Sequence, residues 1–99
     1  MSQQNSPIGI RRIGAVVEGR VQGVGFRYFT RDRAQHYGLT GRVKNLPDGD
    51  VEFEAQGAGR DIDAFVAEIR KGPGLSHVAD ITVNELPVEN KEIGFEITF

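Results

Sequence analysis

The placement of three glycines constrains this chain most. An alternating apolar run, Ile13 to Glu18, and a helical pattern, Phe26 to Tyr37, are joined by Gly19-Arg20-Val21-Gln22-Gly23-Val24-Gly25-Phe26-Arg27. Glycine accepts positive φ at no steric cost, so a loop rich in it can curl and turn successive N–H groups toward one point. A helix N-terminus directly after the loop adds unpaired N–H groups and a partial positive charge at the same place. Arg27, just inside that helix, brings a full charge and a planar fork that matches phosphate bidentately. The stretch reads as an oxyanion cradle made by the backbone from Val21 through Gln22, Gly23, Val24 and Gly25 to Phe26. Residue types alone leave a second reading level with it: a glycine-rich connection followed by an arginine that does nothing in particular.

Known phosphate motifs do not fit. Gly-x-x-x-x-Gly-Lys-Ser/Thr cannot be laid on the loop in any register. A dinucleotide fingerprint fails because Tyr28 stands where its third glycine belongs. An RNA-binding reading of Gly25-Phe26-Arg27-Tyr28-Phe29 fails as well: Arg27 occupies a glycine or alanine position of that pattern, and the segment opens a helix rather than lying on a strand.

Along the chain, residues 1–10 are polar and are expected to form a flexible tail, leaving one domain over 11–99. Ile13, Ala15 and Val17 share one strand face. Phe26, Phe29, Ala34 and Tyr37 mark one side of a helix that Gly38 ends as its C′ residue. A strand through Leu39, Gly41, Val43 and Asn45 follows. Pro47-Asp48-Gly49 turns the chain into a second one, in which Val51, Phe53 and Ala55 alternate with Glu52, Glu54 and Gln56. Ile62, Phe65, Val66 and Ile69 carry the spacing of an amphipathic helix, stopped by Gly72-Pro73-Gly74. Two last strands are expected over His77–Glu85 and Ile93–Phe99. The order β-α-β-β-α-β with a short C-terminal strand implies an α+β sandwich, two helices on one face of a mainly antiparallel sheet and polar residues wet on the other.

Composition excludes several classes of function. With 99 residues the chain can bury one core, and 38% hydrophobic with 26% charged residues suits a folded domain. A net charge of −2 argues against a general nucleic-acid binder. Cysteine is absent, which removes disulfides, thiolate nucleophiles and cysteine metal sites. No compact cluster of His, Asp and Glu suggests a metal, and no cofactor is implied. No apolar run approaches membrane-spanning length, and the first nine residues lack a secretory signal's apolar stretch. A cytoplasmic monomer without membrane or nucleic-acid partners is the expectation.

The glycine motif, followed by Gly41-Arg42-Val43-Lys44-Asn45 and then Asp48-Gly49, closely resembles the acylphosphatase family, over essentially the whole chain from Ile13 onward. The resemblance implies a ferredoxin-like fold and hydrolysis of a small-molecule acyl phosphate to a carboxylate and inorganic phosphate. It also implies that Arg27, which closes the first motif, binds phosphate, and that Asn45 of the second positions the attacking water. Two departures stand out: Arg42 where many members carry tryptophan, and an N-terminal tail longer than the family core needs.

The chemistry fits those assignments. An acyl phosphate is a mixed anhydride whose carboxylate leaves readily. What hydrolysis needs is charge neutralisation on the phosphoryl oxygens and a water in line with the breaking bond. The cradle and Arg27 meet the first need. Asn45 meets the second, since its amide donates and accepts but is too weak a base to take a proton. The water's proton is then expected to pass to a phosphate oxygen, with no metal and no covalent phosphoenzyme. A non-catalytic anion-binding module is the competing function, although it would have no use for a water-aiming amide. Arg20 stays unassigned, and His36 and His77 read as structural or surface residues.

Overall fold

The computed structural model describes residues 9–99. The elements are β1 (Ile10–Arg20), α1 (Phe26–His36), β2 (Thr40–Asn45), β3 (Val51–Ala58), α2 (Gly59–Lys71), β4 (His77–Leu86) and β5 (Phe95–Ile97). The sheet runs β4-β1-β3-β2-β5. Every pairing is antiparallel except β2 with β5. Because β3 is antiparallel to both β1 and β2, those two strands are parallel, and their C-terminal ends share one end of the sheet. That split β-α-β arrangement is the ferredoxin-like fold. The first eight residues of the expected tail lie outside the described residues. Ile10, its last residue, already pairs with Ala58 in the sheet.

Alternation decides which sheet face is buried. Ile13 and Val17 of β1, Val43 of β2, and Val51 and Ala55 of β3 are fully enclosed under the helices. From α2, Ile62, Phe65 and Ile69 point down at one-turn spacing and are equally buried. Phe65 sits at the centre, edge-on to Phe53 at 5.3 Å and to Phe95 at 6.3 Å between ring centroids. Edge-to-face contacts of this kind add about 0.5–1.5 kcal/mol each to simple burial. α2 keeps Asp61 in its first turn and Arg70 and Lys71 in its last, matching the helix dipole.

α1 ends as its sequence indicates. Leu39 N–H donates to Ala34 O at 2.9 Å and Gly38 N–H to Gln35 O at 3.0 Å, with Gly38 at φ 68°. Those two bonds form a Schellman cap.

Two expectations need correction. The last strand is shorter than Ile93–Phe99: β5 spans Phe95–Ile97, and Ile93 and Phe99 are 88% and 98% exposed. β5 has a single partner, which it meets over Gly41–Val43, so alternation beyond that register buries nothing. The far face of the sheet is also not uniformly wet. The segment from Pro87 to Gly94 returns across it, and beneath lies Arg12, 1% exposed. The Arg12 guanidinium donates to Glu54 Oε1 at 2.9 Å, to both carboxylate oxygens of Glu92 at 2.8 and 3.0 Å, and to Gln56 Oε1 at 3.2 Å. Gln56 also exchanges two hydrogen bonds with the backbone of Glu89, at 2.7 and 2.8 Å.

Candidate active site

The loop Val21–Gly25 leaves the C-terminal end of β1 and delivers the chain into α1. Gly23 and Gly25 take φ of 76° and 77°. A Cβ at either position would meet open space, so the demand for glycine lies in the backbone angle rather than in crowding. Gly25 is the N-cap of α1, and no side chain caps the helix. The first ladder bond runs from Phe29 N–H to Gly25 O at 3.0 Å. The N–H groups of Phe26, Arg27 and Tyr28 therefore have no partner one turn back. No acidic residue stands in that first turn to offset the positive end of the helix dipole. A capping side chain here would add about 0.5–2 kcal/mol of helix stability. The chain forgoes it and keeps the N–H groups available to an anion.

Asn45 reaches the same place from the other side. It is the last residue of β2, shares the helix-facing parity of Val43, and pairs across the sheet with Val51, which in turn pairs with Val17. Val21, Gly23, Gly25, Phe26, Arg27, Tyr28 and Asn45 together line one cleft of about 230 Å³. Arg27 and Asn45, which stand far apart in sequence, thus share a cavity. The Arg27 guanidinium lies over the Phe99 ring, 5.3 Å from its centroid. Asn45 Oδ1 is buried and, among the described residues, accepts no hydrogen bond. Leaving such an acceptor unpaired costs about 1–3 kcal/mol, which makes it a position that calls for a functional explanation.

The loop residues do not all act alike. Val21 and Phe26 are buried, each 1% exposed, and anchor the two ends of the loop in the core. Val24 packs against the core, and the Gln22 side chain reaches across to the β2–β3 turn. Their part in a cradle can only be through the backbone. Tyr28 also lines the cleft, a place the sequence reading does not give it; its signal is helical spacing, which sets it off the side of α1 marked by Phe26 and Phe29 and leaves it 56% exposed. Arg20 is exposed and lies outside the cleft lining. Among the described residues no three His, Cys, Asp or Glu side chains are grouped to hold a metal ion. Nor is any helix long and apolar enough to cross a membrane.

Fold and site define a ferredoxin-like domain with a glycine-rich loop at a helix N-terminus and an orphaned amide oxygen at one end of the sheet. The chain belongs to the acylphosphatase family, whose sequence model matches residues 13–97. An acylphosphatase from Clostridium beijerinckii is 50% identical over 88 residues, covering 89% of this chain and 98% of that protein. Among solved structures, the Bacillus subtilis acylphosphatase superposes with a TM-score of 0.87 at 39% identity, over 90% of this chain and 99% of that one. The acylphosphatase from Coxiella burnetii gives 0.85 at 36% identity, over 90% and 93%. The protein is an acylphosphatase by family and fold, a hydrolase that cleaves acyl phosphates to a carboxylate and inorganic phosphate.

Proposed function

We propose that the cleft divides this hydrolysis between two side chains. Arg27 and the loop N–H groups from Val21 to Phe26 hold the phosphoryl oxygens, and Asn45 aims the water that attacks phosphorus. The observation that carries the reading is the buried, unpartnered Asn45 Oδ1 in the same cleft as Arg27. A water donating to Oδ1 satisfies that acceptor and is fixed in direction, while the phosphoryl group is fixed by the cradle. Holding both reactants converts a bimolecular encounter into a positioned one, a contribution that reaches about 7–11 kcal/mol in well-oriented systems. Charge developing on the phosphoryl oxygens meets preorganised donors that need not reorganise.

No side-chain base is needed. Among the described residues no carboxylate lines the cleft; Asp48, on the hairpin turn, is exposed, and its Oδ1 accepts the Asp50 N–H at 3.0 Å. The water's proton passes to a phosphoryl oxygen, the carboxylate leaves unprotonated, and no phosphoenzyme forms. The catalyst is a single domain over residues 11–99, a monomer working in the cytoplasm without metal or cofactor, and neither nucleic acid nor membrane is its partner. The net charge of −2 supports the last point.

The test is phosphate release from benzoyl phosphate with EDTA present, for wild type, Arg27→Ala and Asn45→Ala. Each substitution should cost on the order of 10²–10³ in kcat/KM. Arg27→Ala should also abolish competitive inhibition by inorganic phosphate, whereas Asn45→Ala should leave it in place. A folded Asn45→Ala variant with wild-type kcat would remove the water-aiming role.

A further inference from the structure

We propose that Gln22 is a positioning residue that sets Asn45 in register with the phosphate cradle; this rests on the water-aiming role of Asn45. Gln22 sits in the loop, yet its side chain serves the opposite wall of the cleft. Its Nε2 donates to Leu46 O at 2.8 Å and to Asp50 O at 2.7 Å. Both partners are carbonyl oxygens, so only the nitrogen end of the amide can face them, and both of its N–H groups are used. Among the described residues these are the hydrogen bonds that join the loop 21–25 to the turn 46–50.

The clamp grips the neck of the hairpin, not its tip. Leu46 N–H already donates to Asp50 O at 2.8 Å and Gly49 N–H to Leu46 O at 3.2 Å, so the two carbonyls that Gln22 holds are those that close the turn. Asn45 is the residue immediately before Leu46. Asp50 O, which Gln22 holds, also accepts the Leu46 N–H of the peptide that follows Asn45, while Leu46 O belongs to the next peptide. The clamp therefore fixes Leu46 on both sides and with it the direction of the Asn45 side chain. In the sheet, β3 lies between β2 and β1, the strand that leads into the loop. Catalytic groups must be held within about 0.5 Å and 10–20° of the productive geometry, and a displacement of about 1 Å can cost 10²-fold. A side-chain tie between the two halves of the cleft supplies that tolerance.

Gln22→Leu removes both bonds at similar volume. Gln22→Glu turns an oxygen toward two carbonyl oxygens, and only the protonated carboxyl regains a single donor. The expected result for Gln22→Leu is a kcat loss of about 10–100-fold, with the inhibition constant for inorganic phosphate little changed. In an Asn45→Ala background the same substitution should cost almost nothing, because the group it positions is gone. Gln22→Glu should regain part of its kcat as pH falls through the carboxyl's titration, a trend absent from Gln22→Leu. Wild-type kcat in Gln22→Leu, or an equal loss with and without the Asn45 amide, would overturn the inference alone. Wild-type kcat in Asn45→Ala would remove the reading of Asn45 and the inference with it.

Discussion

Replacing Arg12 by methionine should destabilise the protein heavily and leave catalysis untouched. Methionine fills the space of the aliphatic stem but supplies none of the donors that now reach Glu54, Glu92 and Gln56. Glu54 and Glu92, with side chains 26% and 14% exposed, would then face each other with Glu89 nearby. Breaking a buried ion pair by removing one partner costs about 3–5 kcal/mol. Two features reduce that here: the carboxylates keep some contact with water, and Arg42 stands 3.1 Å from Glu54 Oε2 and 3.9 Å from Glu92 Oε2. A loss of about 2–4 kcal/mol follows, out of a total stability of roughly 5–15 kcal/mol. For a domain of this size that corresponds to a Tm lower by roughly 10–25 °C. Urea unfolding followed by far-UV circular dichroism at pH 7 measures it directly. The kcat should not move, since Arg12 lies on the sheet face away from the helices and about 26 Å along β1 from the cradle end. A loss below about 0.5 kcal/mol would mean that the network behaves as ordinary solvated surface pairs. A fall in kcat with phosphate inhibition intact would mean that the returning segment communicates with the cleft.

Other perturbations test separate parts of the account. The hydrogen bond from Arg12 holds the Glu92 carboxyl below its ordinary value of 4.5, against the opposing effect of burial. A depressed folded-state pKa gives stability that is present above the ordinary glutamate range and is lost as pH falls through the folded value. The stability gap between wild type and Glu92→Gln, read from denaturation midpoints, should therefore be full at pH 7 and close as pH drops below 4.5. Gly25→Ala places a side chain at φ 77° and should cost about 1–2 kcal/mol in stability by chemical denaturation. It should also weaken phosphate binding in calorimetry, because relief of that strain rotates the cradle N–H groups. Phe99→Ala removes the ring under the Arg27 guanidinium, an exposed cation–π contact worth about 0.5–1 kcal/mol. Inhibition by phosphate should weaken by roughly two- to fivefold.

Much of this architecture was legible because it is local or periodic. The strand faces of Ile13, Ala15 and Val17 and of Val51, Phe53 and Ala55 follow from a period of two, and the α2 face follows from Ile62, Phe65, Val66 and Ile69. The bend of the loop was legible because glycines at 23 and 25, just before a helix begins, announce positive φ. What stayed hidden depends on residues distant in sequence. Nothing beside Arg12 in the sequence marks it as buried, because the partner that covers it, Glu92, stands 80 positions away. Gln22 reads as one more donor in a loop until the hairpin 24 positions later presents two carbonyls to it. Ile93 and Phe99 continue the alternation of Phe95 and Ile97, but alternation carries no information on where a partner strand ends.

In the proposed mechanism a water held by Asn45 attacks the phosphorus gripped by the cradle. Hydrolysis of benzoyl phosphate in ¹⁸O-labelled water, with the products analysed by mass spectrometry, tests it most directly. Attack at phosphorus puts one labelled oxygen in inorganic phosphate and none in benzoate. Label in the benzoate carboxylate would place the attack at the carbonyl carbon and contradict the roles given to both Arg27 and Asn45.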